Sequence, residues 1–321
     1  DANSDSSRRS VACDGAAFRL IHPPTARRPA ARDAGVLASH PMSTNQPIVL
    51  RLGHSPDPDD AFMWWPLFGI DGEPPAIASP RFRFEQVEID IEAAKKAAKE
   101  TGIIIDGTVG GYHWGQRHTD PDPKVREVAL EKLKQGLIQT AAVGGKTMLL
   151  VPGHGKDGSD AAVMERAQEA IRAALPVAKE QGVSILIENV WNDFCYDHEG
   201  GNDQSADRLA AFIDSFNSPL VGVQYDIGNH WKYGDPAQWI RTLNKRIQKL
   251  DTKGFSREQG KFTKITEGDI NWPSVEKALR DIKFTGWLAA EVGGGDLARL
   301  KEVSTHMDES LNCNKSIAGA G

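Results

Sequence analysis

From about residue 90 onward, short apolar segments alternate with amphipathic segments, and this alternation restricts the fold more than any other feature of the sequence. The apolar segments, such as "TMLLVPG" and "VSILIEN", are typical of strands that are buried on both faces. The segments between them, such as "DPDPKVREVALEKLKQGLIQTAAVGG", predict helices with acidic residues near the start and glycines at the end. Strict alternation implies a parallel sheet. We count six such strands, and two more would close a (β/α)8 TIM barrel.

The N-terminal residues do not continue this pattern. Residues 1–45 are rich in Ala, Arg, Pro and Ser and are predicted to form a disordered leader. Within residues 46–90, "PIVLRLG" and "RFRFEQVEID" have strand character and are expected to take the places of the first two barrel strands. Residues 91–313 form the predicted barrel, and residues 314–321 form a tail. We therefore predict an α/β barrel that is incomplete or atypical at strands one and two, with imperfect closure or marginal stability.

Composition excludes several classes of function. The formal net charge of −6 argues against sequence-independent nucleic-acid binding, which normally requires a basic face. No apolar run is long enough to span a bilayer, so we expect no membrane partner. Cys13, Cys195 and Cys313 are far apart and have no CxxC spacing, which favours a reduced compartment over a disulfide framework. We therefore expect a cytoplasmic protein with a small-molecule partner.

Four of the predicted strands end on an acidic residue. These are Glu188 in "LIEN", Asp226 in "QYDIGN", Asp251 in "KLDTKG" and Glu291 in "AAEVGGG". The carboxyl ends of barrel strands meet above the barrel, where mutual repulsion of four carboxylates is costly unless a cation lies among them. Ligation by oxygen alone favours Mg²⁺ or Mn²⁺. The alternative is that each acid caps the next helix or pairs with a nearby Lys or Arg.

Residues of about 90–312 resemble the xylose isomerase-like TIM barrels, the sugar phosphate isomerase/epimerase superfamily. The resemblance rests on "YHW" with "DPDPKVRE", "TMLLVPG", "ILIENVWN", "YDIGNHWKYGDPAQWIR", "EGDINWPSVEKAL" and "TGWLAAEV". It implies one divalent metal held by Glu188, Asp226, Asp251 and Glu291. The family more often has His where this chain has Asp251. Replacement of a nitrogen ligand by an oxygen ligand should favour Mg²⁺ or Mn²⁺ over softer metals.

The resemblance also implies a reaction. The metal holds the carbonyl and the adjacent hydroxyl oxygen of a ketose and stabilises an enediolate. Glu188 and Glu291 form the implied acid/base pair, one removing a carbon-bound proton and the other returning a proton to the opposite face. The predicted function is therefore a metal-dependent isomerase or epimerase of a sugar or sugar phosphate. The alternatives are a lyase or dehydratase on the same barrel, or a sugar-binding protein without turnover.

Further residues near the predicted strand ends are candidate substrate contacts. Lys253 and Arg257 follow strand seven, where barrels often bind phosphate, and His230 lies one residue from the position where family epimerases have a substrate-binding His. For each candidate, core packing or a solvated loop is the alternative role. The predicted set is His113, Trp114, Asn189, Trp191, His230, Lys253 and Arg257.

A second resemblance concerns residues of about 42–90. The stretch "IVLRLGHSPDPDDAFMWWPLFG" is similar to the N-terminus of the 1,4-dihydroxy-6-naphthoate synthases, enzymes with a periplasmic-binding-protein-like fold. The remainder of such an enzyme is absent from the sequence, so naphthoate synthase is the least favoured activity. The chain is interpreted as a chimera joined near residues 87–92. Because barrels of the xylose isomerase-like family commonly pair, a homodimer is a further expectation.

Overall fold

The computed structural model describes residues 91–311, together with the backbone of four short strands nearer the N-terminus. The chain divides into two compact units. The smaller unit, His22–Ile103, contains the parallel pair β3 (Ile48–His54) and β4 (Phe82–Glu88) and helix α1 (Ile91–Thr101). The larger unit contains the remaining elements, including the antiparallel pair β1 (Val11–Cys13) and β2 (Ala16–Phe18).

A six-stranded parallel sheet forms the centre of the larger unit. Its spatial order follows the chain order, as expected when each strand is joined to the next through a helix. The strands are β5 (Gly107–Val109), β6 (Thr147–Leu150), β7 (Ser184–Glu188), β8 (Val221–Asp226), β9 (Ile247–Thr252) and β12 (Trp287–Ala290). The sheet is the curled part of a TIM barrel. Over the described residues the barrel is incomplete, because β3 and β4 pair with each other in a sheet of their own.

The helices that follow the strands begin at recognisable capping residues. The side chains of Asp122, Ser159 and Asp235 accept hydrogen bonds from backbone amides in the first helical turn. Gly182 ends the second long helix in the left-handed region at φ +64°. The helices are α2 (Pro123–Ala142), α3 (Asp160–Gln181), α4 (Asp207–Asp214), α5 (Ile227–Trp231), α6 (Pro236–Leu243), α7 (Trp272–Asp281) and α8 (Leu297–Ser310).

The hydrophobic core lies between these helices and the sheet. Leu133 and Leu137 of α2 and Ile171 of α3 are completely buried, as are Ile185 and Ile187 of β7. Each such side chain contributes about 1.5–3 kcal/mol by leaving water. This packing holds the strands in register and therefore fixes the positions of the residues at their carboxyl ends.

Local features that the strand–helix alternation does not specify also appear in the structure. In the segment "IIIDGTVGGYHW" the strand contains only Gly107–Val109, and Gly111–Trp114 forms a 3₁₀ turn. The chain leaves the extended conformation at Gly110, where φ is −88° and ψ is 73°. Helix α3 continues through Pro176. Two elements were not predicted: α5, directly after β8, and a hairpin of β10 (Gly254–Ser256) with β11 (Lys261–Thr263).

Within the described residues, no helix combines the length and the apolar character needed to cross a membrane. Apart from β1 and β2, the predicted leader lies outside the described residues, as do most of residues 46–90 and the tail of residues 314–321. The assignment of those segments therefore stays a prediction.

Candidate active site

The four predicted acidic residues lie together at the carboxyl edge of the sheet. Glu188, Asp226, Asp251 and Glu291 each offer a carboxylate oxygen, and these oxygens all lie within 4.8 Å of one another. Glu188, Asp226 and Asp251 are buried, whereas the side chain of Glu291 is 51% exposed. We refer to these four residues as the carboxylate cluster. Their convergence is what the strand-end pattern predicted; their function as metal ligands stays a prediction.

Strand register explains this convergence. Glu188 and Asp226 are the last residues of β7 and β8, and Asp226 is directly opposite Asp251 across the β8–β9 pair. Glu291 comes directly after β12, and its amide donates to the carbonyl of Thr252 at 3.1 Å. Asp226 and Glu291 each lie two residues beyond the position opposite their neighbours Glu188 and Asp251, and this even offset keeps all four side chains on the same face of the sheet.

Polar neighbours orient the buried carboxylates. Gln224 Nε2 donates to Asp251 Oδ2 at 2.6 Å, and the Asn229 amide donates to Asp226 Oδ1 at 2.7 Å. The Asn229 side chain donates to Glu188 Oε1 at 3.5 Å. The bond to Asp226 also caps α5, so the cap predicted as an alternative role for these acids does occur at one of them.

A lysine lies inside the carboxylate cluster. Lys253 Nζ is 3.0 Å from Asp226 Oδ2 and 2.8 Å from Glu291 Oε2, and the residue is buried. Gly228 makes room for its aliphatic chain, because a Cβ at this glycine would lie 2.3 Å from Lys253 Cγ. The ammonium group of Lys253 therefore neutralises part of the cluster, and its predicted contact with substrate stays a prediction.

The electrostatics show that this neutralisation is incomplete. Burial raises the pKa of Glu188 well above its ordinary value, and the other three carboxylates raise it further. Burial likewise raises the pKa of Asp226 despite Lys253, and it raises the pKa of Asp251 to about 6. Burial alone would lower the pKa of Lys253, but Asp226 and Glu291 raise it above its ordinary value. The cluster therefore has four acids for one cation, and burial favours protonation of three of these acids where no further positive charge is present.

Two predicted substrate residues, Asn189 and His230, support the strand ends, and their contact with substrate stays a prediction. The Asn189 side chain accepts from the Asp226 amide at 2.8 Å and donates to the Asp226 carbonyl at 2.8 Å, which joins the ends of β7 and β8. Its amide nitrogen lies 3.2 Å from His230 Nδ1. His230 is completely buried, and this burial lowers its pKa well below its ordinary value.

Two other predicted contacts lie near a different strand. His113 is buried, and its Nδ1 accepts from the Val151 amide at 3.4 Å. Burial and the nearby His118 lower the pKa of His113 to about 3. Trp114 packs edge-on against His113 and is 42% exposed. No contact described for His113 or Trp114 reaches the carboxylate cluster.

An aromatic and cationic pocket lies on the same side of the barrel. It has a volume of about 310 Å³ and is lined by Trp191, Asn202, Lys232, Phe255, Arg257 and Gly260. Trp191 and Arg257 were predicted from the sequence, whereas Lys232 was missed because only the unforeseen helix α5 brings it to this place. Trp191 stacks on Phe262 with ring centroids 5.0 Å apart, and Lys253 Nζ lies 4.7 Å from the Phe262 ring. These contacts connect the pocket to the carboxylate cluster.

Comparison with protein families identifies the barrel. The model of the xylose isomerase-like TIM barrel family matches residues 68–312. The chain belongs to this family. The match begins upstream of residue 90, within the segment whose other resemblance is to naphthoate synthases. That resemblance concerns residues that are largely outside the described part of the chain, and it stays a prediction.

Individual relatives of this xylose isomerase-like barrel are distant. An uncharacterized protein of Methanocaldococcus jannaschii, MJ1311, is 21% identical over 199 residues, which are 59% of this chain. The chain spans 65% of the length of that relative, just under two thirds. The family assignment therefore rests on the family match over residues 68–312.

Three solved structures share the fold of this xylose isomerase-like barrel. A D-tagatose 3-epimerase-like protein has a TM-score of 0.60 and 16% identity, covering 71% of this chain and 84% of its own. The 3-keto-D-glucoside 4-epimerase of E. coli has a TM-score of 0.56 and 17% identity, and the match covers 84% of this chain and 100% of the epimerase. An IOLI protein with a bound zinc atom has a TM-score of 0.56 and 13% identity, covering 70% and 82%. These likenesses concern the fold.

Proposed function

We propose that this chain is a metal-dependent isomerase or epimerase of a ketose or ketose phosphate. The observation that carries the proposal is the carboxylate cluster, four acids from separate strands with oxygens within 4.8 Å of one another. Membership of the xylose isomerase-like barrels supports it, as do the names of two structural relatives that are epimerases or epimerase-like. Because those two relatives differ in the carbon they act on, the carbon inverted or isomerised here is left to experiment.

The carboxylate cluster is suited to a hard divalent cation. All of its donors are carboxylate oxygens, the set that Mg²⁺ and Mn²⁺ prefer in proteins. Asp226 Oδ2 is buried and accepts no hydrogen bond from the described residues; its neighbour is the Lys253 ammonium group. The raised pKa values of Glu188, Asp226 and Asp251 indicate that further positive charge would be favourable here. Glu188, Asp226, Asp251 and Glu291 would hold the ion.

The proposed chemistry is proton transfer at a carbon beside a carbonyl. A bound divalent ion would supply stabilisation of the negative charge that develops on adjacent substrate oxygens. Glu188 would remove the carbon-bound proton, as a general base positioned at the end of β7. Glu291 lies three strands along the sheet from Glu188 and would return a proton from another direction. Return to the opposite face inverts the centre.

The pocket beside the cluster supplies a surface for the sugar. Trp191 and Phe255 present aromatic faces, and Trp191 is held by a hydrogen bond from its Nε1 to the Asn229 carbonyl at 3.1 Å. Asn229 also contacts Glu188 and Asp226, so the aromatic surface and the acidic residues are positioned by the same short helix. Apolar surfaces with a few fixed polar groups are typical of small-molecule sites.

The test is solvent-deuterium exchange. The purified chain is incubated in D₂O with Mn²⁺ and a panel of ketoses and ketose phosphates, and carbon-bound deuterium is detected by NMR. We expect exchange at one carbon that stops in chelator and in Glu188→Gln and continues in Glu131→Gln, a control on an exposed glutamate that pairs with Lys134. The labelled carbon then separates epimerase from isomerase. Absence of exchange with every sugar, in protein that holds Mn²⁺, would contradict the proposal and leave dehydration or binding without turnover.

A further inference from the structure

Two cations of the pocket form no direct ion pair. Lys232 and Arg257 both line the cavity of about 310 Å³, and neither side chain forms an ion pair with another described residue. Asp269 and Asp235 lie near enough to raise the pKa of Arg257, but burial of the guanidinium group lowers its pKa overall. Other cations nearby are paired: Lys253 contacts two carboxylates, and Lys249 lies 2.7 Å from Asp106. A half-buried cation without a directly bound counter-charge is a site where an anion gains favourable energy.

Lys232 is held in place by neutral groups. Its Nζ donates to His198 Nε2 at 2.9 Å and lies 4.7 Å from the centre of the Trp191 ring. For His198 to accept this bond, its proton is on Nδ1, which lies 2.6 Å from the Tyr233 hydroxyl. An ammonium group has three donors, so this arrangement positions Lys232 and leaves donors for a ligand.

Arg257 is anchored in a similar manner. Its Nε donates to the Trp231 carbonyl at 2.6 Å and one terminal nitrogen donates to the Gly234 carbonyl at 2.9 Å. Its guanidinium group stacks on the Trp231 ring at 3.5 Å. Backbone carbonyls orient the guanidinium group but do not neutralise it, and three of its five N–H donors are not used by these bonds.

We propose that Lys232 and Arg257 form a subsite for an anionic group, a phosphate ester or a carboxylate, on the part of the sugar that is remote from the reacting carbons. The carboxylate cluster is negative and would repel such a group, whereas the pocket is positive. The stacked rings of Trp191 and Phe262 connect the acidic cluster with the cationic pocket. This arrangement suits a substrate that is neutral at its keto end and anionic at its other end. Assignment of the anion to a ketose rests on the proposed function; the subsite itself needs no metal.

The test measures binding without catalysis. Isothermal titration in chelator compares D-fructose, D-fructose 6-phosphate and D-fructuronate on the full chain, on Lys232→Met and on Lys232→Arg. The control is Lys277→Met, which removes an exposed lysine paired with Asp281. We expect at least tenfold tighter binding of one anionic sugar than of fructose, and at least a tenfold loss of this preference in Lys232→Met with retention in Lys232→Arg. The preferred probe distinguishes phosphate from carboxylate.

A second variant protects this test from a folding artefact. Lys232 packs on Trp191, so its substitution is accompanied by a thermal melt, and Arg257→Met provides an independent removal of the second charge with the same expected loss. Equal binding of fructose and both anionic sugars by the unaltered chain would overturn the subsite. An equal effect of Lys232→Met on neutral and anionic sugars would overturn it also.

The outcomes for the two proposals are separable. Deuterium exchange without any preference for an anionic sugar retains the proposed function and rejects the subsite. Binding of an anionic sugar that depends on Lys232, without exchange of any ketose in metal-loaded protein, retains the subsite and rejects the proposed function.

Discussion

The carboxylate cluster and the pocket beside it have opposite electrostatic characters. The cluster contains four acids and one lysine, and burial raises the pKa values of three of those acids. The pocket has two cations, no acid among its lining residues and an aromatic surface. The first region has more acids than cations, and the lining of the second has cations and no acid.

This difference indicates a division of function along one site. Strand ends supply the cluster, because only the rigid register of β7, β8, β9 and β12 can hold four like charges so close together. The segments after β7, β8 and β9 supply the pocket, and these segments can vary without disturbing the sheet. We therefore expect the reaction to depend on the cluster and the choice of sugar to depend on the pocket.

The largest expected effect comes from changing the chemistry of the cluster while keeping its shape. Glu188→Gln and Glu291→Gln each remove a proposed acid or base and should slow exchange by roughly 10²–10⁴-fold. The same variants should leave the fold intact, as judged by circular dichroism. Exchange at the normal rate in both variants would show that neither glutamate moves the proton, and it would remove the functional contrast between cluster and pocket.

The next effect concerns the lysine of the cluster. Lys253→Met leaves Asp226 and Glu291 without their cation, and loss of one partner of a buried pair costs roughly 3–5 kcal/mol. We expect the lower end of this range because Glu291 is half exposed. Without Lys253 the cluster should bind Mn²⁺ more tightly. Thermal melts and Mn²⁺ titration measure the two effects, with Lys277→Met as the surface control.

An unchanged Mn²⁺ affinity in Lys253→Met would contradict this account of the cluster. It would mean that the ammonium group and the metal ion do not share the same oxygens.

A smaller effect should appear as pH dependence in metal-free protein. The pKa of Asp251 is about 6 in the folded chain, whereas its ordinary value, taken for the unfolded chain, is 3.8. Between these two pH values the folded state therefore holds more protons than the unfolded state. The free energy of unfolding therefore falls as pH rises from about 4 to 6. His113 and His118, whose pKa values are lowered by burial to about 3 and about 4, act in the opposite sense.

The measurement therefore compares denaturation of the native chain and of Asp251→Asn over this pH range, in chelator. The free energy of unfolding of the native chain minus that of Asp251→Asn should fall as pH rises. A difference that grows with pH would show that Asp251 is stabilised as an anion, and the cluster would then not lack positive charge.

The smallest expected effect concerns the connection between the two regions. Phe262→Ala removes the ring that stacks on Trp191 and lies beside Lys253. Such aromatic contacts contribute about 0.5–1.5 kcal/mol, so sugar binding should weaken several-fold while the exchange rate at saturation changes little. Leu300→Ala, at an exposed apolar position, is the control. A large fall in the saturated rate instead would mean that Phe262 positions the reacting groups.

The carboxylate cluster could be predicted from the sequence because it follows from local patterns. An apolar strand followed by an acid occurs at Glu188, Asp226, Asp251 and Glu291, and a parallel sheet brings such ends together. The order of the six strands likewise follows from their alternation with helices. These features need no knowledge of contacts between distant loops.

The pocket could be predicted only in part, because it depends on such contacts. Helix α5 is five residues long and is specified by the Asp226 cap, a bond that the sequence does not display. That helix carries Asn229 and His230 and is followed directly by Lys232. The place of Lys253 inside the cluster depends on the space left by Gly228. Propensity and periodicity do not contain this information.

The most direct test of the central claim is equilibrium binding of Mn²⁺, followed by electron paramagnetic resonance. The account predicts one Mn²⁺ per chain, lost in Asp226→Asn and retained in Asp281→Asn, which changes an acid of α7 that pairs with Arg241 and Lys277 instead. Folded protein that binds no Mn²⁺, or binds it equally well after Asp226→Asn, would contradict the claim that these four carboxylates form a metal site.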